Sequence, residues 1–218
     1  QTLVLFGLLG VYVINLRHFS QQLTSPFWIH LISYLNLGAC ALNLATLTTR
    51  FAYPQFSLEG KRLWIVGMAP LGMVRIVKAK FWLASIASWI VTGSLMVLSC
   101  YMLKLPVQRT LYLSAIITIM TFTLNGLAIG LGALYPNFKE DNPSKIVSGF
   151  GGTFCLVLSF VYIAGSVTML AIGSPWGWRG EPSQNLTLLV WCGFVFFSGL
   201  IGGLPMLLGF RRVAKFEL

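Results

Sequence analysis

The sequence has 218 residues, of which 56% are apolar and only 9% are charged, and its mean hydropathy is +0.80. A soluble domain carries about a quarter of its residues as charges, so most of this chain's outer surface must contact a lipid bilayer. The net charge of +10 would suit nucleic acid. However, the basic residues lie in short segments between long apolar runs, as expected of residues retained on the cytoplasmic side of a membrane. We therefore expect no nucleic-acid binding.

Six apolar windows approach or reach the length of about twenty residues that a bilayer-spanning helix needs. They are residues 1–16, 27–47, 81–103, 110–135, 146–172 and 186–210. The predicted fold class is an all-α membrane protein with six transmembrane helices, in which residues 1–218 form a single transmembrane domain. The first window is short and the chain starts inside it, so we expect the C-terminal half of a longer chain.

The lysines and arginines predict the orientation of the chain. If the chain starts in the cytoplasm, eleven of these residues lie on the inner side: Arg50, Lys61, Arg62, Arg75, Lys78, Lys80, Lys139, Lys145, Arg211, Arg212 and Lys215. The outer side holds four: Arg17, Lys104, Arg109 and Arg179. This bias predicts a multi-pass protein of the cell inner (plasma) membrane with both termini in the cytoplasm.

The inner segment between the second and third spans has two stretches of helix-compatible composition, residues 58–68 and 71–80. Ala69 and Pro70 separate them, and proline suits the first turn of a helix because its missing N–H would be unpaired there. We predict two short helices that meet at Pro70, the second leading into the third span.

The inner loop before the fifth span carries a helix-start signal. Asn142 is a good N-cap residue, Pro143 suits the first helical position, and Glu140 and Asp141 favour the positive helix end. The two carboxylates equally fit a second cytoplasmic contact with a partner. On the outer side, the tryptophan-rich residues 173–182 fit a lid, a re-entrant element or a plain interfacial loop.

The sequence lacks the groups that a catalytic or metal site requires. Its two histidines, His18 and His30, both lie near the predicted outer surface, and none of the five carboxylates lies within a span. We predict no catalytic residue and no bound metal. Because the spans also lack lysine and arginine, a proton- or sodium-coupled carrier is disfavoured.

A few polar and small residues lie at membrane depth. Asn36, Asn43 and Asn125 must either bond to neighbouring helices, which we favour, or line a cavity. Gly126 and Gly130 form a GxxxG pair, which indicates close helix packing without identifying the helices that meet.

Three residues carry a resemblance to a known family. Glu59, Pro70 and Lys80 match in type, spacing and position a pattern of type-2 ABC (ATP-binding cassette) transporter permeases. In that pattern a glutamate opens a short cytoplasmic helix, and a proline and a lysine follow before the third span. Residues 134–152, through Asn142 and Pro143, are similar to the ABC exporter group of that family.

The resemblance implies a coupling helix between helices two and three that binds a separate ABC ATPase subunit. It assigns this contact to Glu59, Lys61, Arg62, Leu63, Trp64, Met68 and Pro70. The chain would be the membrane-spanning permease subunit of an ATP-driven exporter, coupling ATP hydrolysis on the partner ATPase to substrate export. Its other partner would be a second permease half, either another copy or the N-terminal half of the same protein.

No Walker sequence of the form GxxxxGK[ST] occurs in the chain, so we expect it not to be an enzyme. It would hold no cofactor, and ATP and Mg²⁺ would be bound on the partner ATPase. Two alternatives stay open: a non-transporting structural membrane subunit of a larger complex and, less favoured, a secondary carrier.

Overall fold

The computed structural model describes residues 25–60, 73–176 and 184–214, and this part of the chain contains helices and connections but no strand. The elements are α1 (Pro26–Leu47), a π-helical turn (Thr48–Ala52), α2 (Gln55–Leu58), α3 (Met73–Met102), α4 (Val107–Leu134), α5 (Pro143–Ser148), α6 (Phe150–Ile172) and α7 (Gln184–Ala214).

Five helical stretches in the described residues are long and apolar enough to cross a membrane. They are Phe27–Leu58, Arg75–Met102, Val107–Leu134, Phe150–Ile172 and Asn185–Ala214. The predicted all-α class and the last five predicted spans are confirmed. The first predicted span, residues 1–16, lies outside the described residues, so the count of six stays a prediction.

Prolines and one left-handed residue set where several helices begin and end. α1 begins at Pro26 and α4 follows directly after Pro106, so no helical N–H is lost to the pyrrolidine ring at either start. The connection between α3 and α4 is four residues long and includes Lys104, whose φ of 52° turns the chain back. α3 and α4 are therefore antiparallel neighbours.

α4 forms the centre of the bundle. Ile117, Met120, Leu124 and Leu127 are fully buried on it, and 78% of its apolar window is enclosed by other helices, against 17% for α3. α3 instead exposes large apolar side chains such as Leu83 outward. Exposed apolar surface of this kind is expected where lipid tails are the solvent.

Glycines let the backbones of α4 and α7 approach each other. A Cβ atom on Gly126 would lie 3.0 Å from the carbonyl oxygen of Gly202, and one on Gly209 would lie 3.0 Å from that of Gly130. The small surface predicted from the GxxxG pair thus packs against α7, the last described helix.

Two predicted spans have different ends in the structure. The span predicted to end at residue 47 continues through the π-helical turn to Leu58, because Thr48 is buried there and the core extends through Ala52 and Tyr53. The span predicted for residues 146–172 is interrupted at Gly149, whose extended ψ of 171° separates α5 from α6.

Candidate functional site

The basic side chains gather at one end of the bundle, which we name the basic end. Of the ten described lysines and arginines, eight lie there: Arg50, Arg75, Lys78, Lys80, Lys139, Lys145, Arg211 and Arg212. The other two, Lys104 and Arg109, lie at the opposite end. The asymmetry predicted from the sequence is thus present in the described part of the fold.

An ion pair joins the end of α2 to the first turns of α3 at the basic end. Lys80 Nζ lies 2.5 Å from Glu59 Oε1, and the same ammonium donates a hydrogen bond to the carbonyl oxygen of Gln55 at 3.4 Å. About a quarter of the Lys80 side chain and a third of that of Glu59 are exposed. Glu59 and Lys80 lie on either side of residues 61–72 in the sequence. The ion pair therefore connects the two chain positions that flank most of the segment predicted to contact an ATPase.

Only one of the seven residues predicted for that contact lies in the described part of the chain, namely Glu59. The other six lie outside it: Lys61, Arg62, Leu63, Trp64, Met68 and Pro70. The two short helices predicted to meet at Pro70 fall partly in the same residues. The described chain resumes at Met73 in a helix that runs without a break into the membrane-spanning part of α3.

The position of Glu59 is held by packing of α2 against the loop between α4 and α5. The Asn137 backbone N–H donates to Ser57 Oγ at 3.1 Å, and the Phe56 ring lies 6.1 Å from the Phe138 ring, centre to centre. Phe56 and Ser57 are both buried. Glu59 therefore sits on a backbone that is fixed to the rest of the bundle.

Two further contacts hold the helix ends together at the basic end. Tyr53 Oη donates to the carbonyl oxygen of Tyr135 at 3.3 Å, just after α4 ends. The Arg212 guanidinium of α7 donates to the carbonyl oxygen of Leu134, which has no helical partner because it lies in the last turn of α4. The chain just after the π-helical turn, the end of α4 and α7 are thereby joined at this end.

The predicted start of a helix at Asn142 is confirmed. Its Oδ1 accepts a hydrogen bond from the Ser144 N–H at 3.0 Å, and Pro143 occupies the first position of α5. Lys145 Nζ lies 3.5 Å from a carboxylate oxygen of Glu140 in an exposed pair. The prediction that Glu140 and Asp141 contact a partner stays a prediction.

The three asparagines at membrane depth differ in their surroundings. Asn36 Oδ1 accepts a hydrogen bond from Ser99 Oγ of α3 at 2.5 Å, which is an interhelical bond. Asn43 and Asn125 instead donate to carbonyl oxygens four residues earlier in their own helices. Asn125 also lines a cavity between α1 and α3.

The opposite end holds an aromatic cluster that sequence reasoning missed. The Arg109 guanidinium lies over the Trp176 ring at 5.1 Å, and the Tyr112 ring meets Trp176 and Trp191 edge-on. His30 Nε2 lies 3.2 Å from the carbonyl oxygen of Ala171. The sequence showed that the outer segment is rich in tryptophan. It contained no spacing that predicted contacts between those tryptophans and residues of other helices.

No three histidine, cysteine or carboxylate side chains in the described ranges come close enough together to hold a metal ion. The described side chains at the basic end can form ion pairs and interfacial contacts, and their exposed positions suit contact with a partner more than enclosure of a small molecule.

A family model described as "Putative ATP-binding cassette" matches residues 1–218, the entire chain. The chain belongs to this ATP-binding cassette family. No curated protein and no solved structure matches the chain. A role in an ATP-binding-cassette (ABC) system therefore follows from the family, and the five apolar helices fit a membrane protein.

The family corrects two interpretations drawn from the sequence. The description of the family names ATP binding, which points to an ATPase-type domain. The assignment of the chain to type-2 ABC exporter permeases is therefore wrong. The function derived from it, a permease subunit that couples ATP hydrolysis to export, is contradicted by the same match. The two alternatives, a structural subunit and a secondary carrier, are not supported either.

The physical reason for the error lies in the pattern itself. Glu59, Pro70 and Lys80 combine an acidic residue, a helix-starting proline and a basic residue at a membrane boundary. Each of these has a general role at helix ends or at lipid interfaces, so their spacing does not by itself specify an activity.

Proposed function

We propose that the chain is a membrane-embedded component of an ABC system and that its nucleotide-dependent role is exercised at the basic end. The observation that carries this proposal is the Glu59–Lys80 ion pair of 2.5 Å, set on the α2 segment that packing holds against the α4–α5 loop. The family supplies the link to ATP, and the apolar helices supply the link to the membrane.

ATP is bound, in this proposal, by a separate ATPase partner together with Mg²⁺, and this chain is not an enzyme. A phosphate-binding loop needs a run of backbone N–H groups and a lysine directed at the phosphates, and no Walker sequence occurs in the chain. Two of the four described lysines of the basic end are already held in ion pairs. Lys80 is held by Glu59, and Lys145 is paired with Glu140.

The partner surface combines charges with the apolar residues predicted beside them. Glu59, Lys80 and the exposed pair of Lys145 with Glu140 supply charges of both signs, which give an interface its register and orientation. Leu63, Trp64 and Met68 follow Glu59 in sequence and would supply the buried anchors of the contact.

Further parts of the assembly belong to the same proposal. The basic end faces the cytoplasm, as the excess of lysine and arginine at that end favours, and the membrane is the cell inner membrane. A second membrane unit completes the assembly, either as another copy of this chain or as another part of the same protein.

Photolabelling with azido-ATP tests where the nucleotide binds. The chain is purified from its native membrane in mild detergent, and co-purified proteins are identified by peptides that contain a Walker sequence. We expect an ATPase of this class to accompany the chain and to carry the label, while the chain itself stays unlabelled. Absence of such an ATPase from an intact assembly would contradict the proposal.

Charge variants then test the site. Lys80→Glu places two carboxylates together and should release the ATPase, whereas the double variant Glu59→Lys with Lys80→Glu reverses the pair and should restore the association. Lys104→Glu is the matched control, since it makes the same charge change at an exposed position of the opposite end of the bundle. Equal loss of the ATPase in the single, double and control variants would show that this ion pair has no specific role.

A second candidate function is direct ATP binding by this chain, which the description of its family favours. Azido-ATP would then label the chain in the absence of any ATPase, and excess unlabelled ATP would suppress the labelling. That result would replace the first proposal with this one.

A further inference from the structure

A cavity of about 350 Å³ lies between α1 and α3. Its walls are mainly apolar, with Leu47 on α1, and Leu83, Ala87 and Val91 on α3. Phe51 is a further lining residue, and both Leu83 and Phe51 expose more than half of their surfaces on the outside of the described bundle. The cavity therefore opens sideways, toward the lipid, and its volume is within the range of small-molecule sites.

Two amide oxygens give this cavity a polar wall. Asn125 Oδ1 and Gln55 Oε1 belong to lining residues, are themselves buried, and have no hydrogen-bond partner in the described ranges. Asn125 has no exposed surface, and its Nδ2 already donates to the Thr121 carbonyl oxygen at 2.9 Å. That bond leaves the oxygen of the Asn125 amide as the group available to a ligand.

The unpaired acceptor of Asn125 lies within the apolar span of α4, where it is costly because no water is present to bond to it. A ligand that supplies hydrogen-bond donors would remove this cost. Both amide oxygens are acceptors. The hydroxyl residues Thr48 and Ser88 also line the cavity, but no lysine, arginine or histidine does, so an anion is disfavoured. A cation is disfavoured as well, because no carboxylate lines the cavity and a positive charge is already nearby. The Lys80 ammonium lies 3.4 Å from the backbone carbonyl oxygen of Gln55.

We infer that this cavity binds a neutral amphiphile, whose hydroxyl or amide N–H donates to Asn125 Oδ1 and Gln55 Oε1 and whose hydrocarbon chain lies against α3. The ligand enters from the bilayer, because the exposed rim residues face outward. This inference is independent of where ATP binds, and it neither needs nor implies an ATPase partner.

Two photoreactive probes test the chemistry. The full chain is reconstituted in phosphatidylcholine vesicles with a diazirine-bearing dodecanol or with its methyl ether, which has the same chain but no donor. Labelling of residues 81–91 is measured by mass spectrometry and normalised to labelling around Leu188, an exposed residue of α7 that reports bulk lipid contact. We expect the alcohol to label the cavity about five-fold more than the ether, as one or two hydrogen bonds would give.

A matched pair of asparagine variants tests the acceptor. Asn125→Leu should bring the ratio of alcohol to ether labelling to about one, because the donor then loses its main partner. Asn43→Leu is the control, since Asn43 also donates to a carbonyl oxygen four residues earlier but does not line the cavity. It should leave the ratio unchanged.

A second pair keeps the test decisive if Asn125→Leu fails to fold. Ala87→Trp should fill the cavity and abolish normalised labelling by both probes, whereas Ala115→Trp on an exposed position of α4 should not. Equal labelling by alcohol and ether in the unaltered chain, or cavity labelling that survives Ala87→Trp, would overturn the inference. A crosslink from the cavity wall to residues 1–24 in the absence of probe would overturn it too, since the chain itself would then fill the space.

Discussion

The close approach of α4 and α7 makes a specific prediction for Gly126→Ala. The added Cβ would lie 3.0 Å from the Gly202 carbonyl oxygen and 3.4 Å from its carbonyl carbon, and these are backbone atoms that no rotamer change can move away. The two helices would have to separate by a few tenths of an ångström along the most extensive helix contact in the described fold.

The net effect is the difference between two opposing terms. Overpacking costs about 1–3 kcal/mol, while replacing glycine by alanine inside a helix gains about 1 kcal/mol. We therefore expect Gly126→Ala to lower the free energy of unfolding by about 1 kcal/mol. Gly130→Ala should cost more, since its Cβ would overlap the Pro205 and Met206 backbone of α7.

Gly203→Ala is the control, because a Cβ there meets nothing within 4 Å in the described structure. It should be neutral or slightly stabilising. The measurement is reversible unfolding in mixed detergent micelles, followed by tryptophan fluorescence, for all three variants. If Gly126→Ala proves as stable as Gly203→Ala, the backbone contact between α4 and α7 is not what limits this interface.

Three more predictions concern single contacts. Tyr162 Oη and Ser198 Oγ lie 2.7 Å apart in a buried hydrogen bond between α6 and α7. A double-mutant cycle of Tyr162→Phe and Ser198→Ala in micelles should therefore give a coupling free energy of about 0.6 kcal/mol. A coupling near zero would contradict this bond. Glu59→Gln should change the free energy of unfolding by less than about 1 kcal/mol, because the ion pair with Lys80 is partly exposed. A larger loss of unfolding free energy would mean that the pair is more buried than the structure shows. Asn142→Ala should speed amide exchange in α5 by about five-fold through loss of the cap, whereas Asn142→Asp, which keeps an acceptor, should not.

The family match shows that a short motif can lead to a wrong functional assignment. Glu59 and Lys80 belong to that motif, and the fold brings them together in an ion pair that was not predicted from the sequence. The activity attached to that motif was contradicted by the family. A motif of this kind does not by itself specify a function, because helix caps and interfacial charges serve many membrane proteins.

The sequence by itself determined the class of the fold and the approximate limits of five spanning helices. Long uncharged runs can satisfy their backbone groups in lipid only as helices, so this part needed no tertiary information. The cap at Asn142 was also readable, because its partner lies two residues away. The gathering of basic residues at one end followed from the alternating direction of successive spans.

Only the tertiary structure decided which side chains meet across helices. Gly126 could have faced any neighbour, and its contact with Gly202 depends on how α4 and α7 are rotated about their axes. Apolar periodicity is a weak guide to that rotation here, because lipid and protein interior are equally apolar. For the same reason the sequence could not show that Asn125 and Gln55 share a cavity, since that depends on the packing of helices from distant parts of the chain.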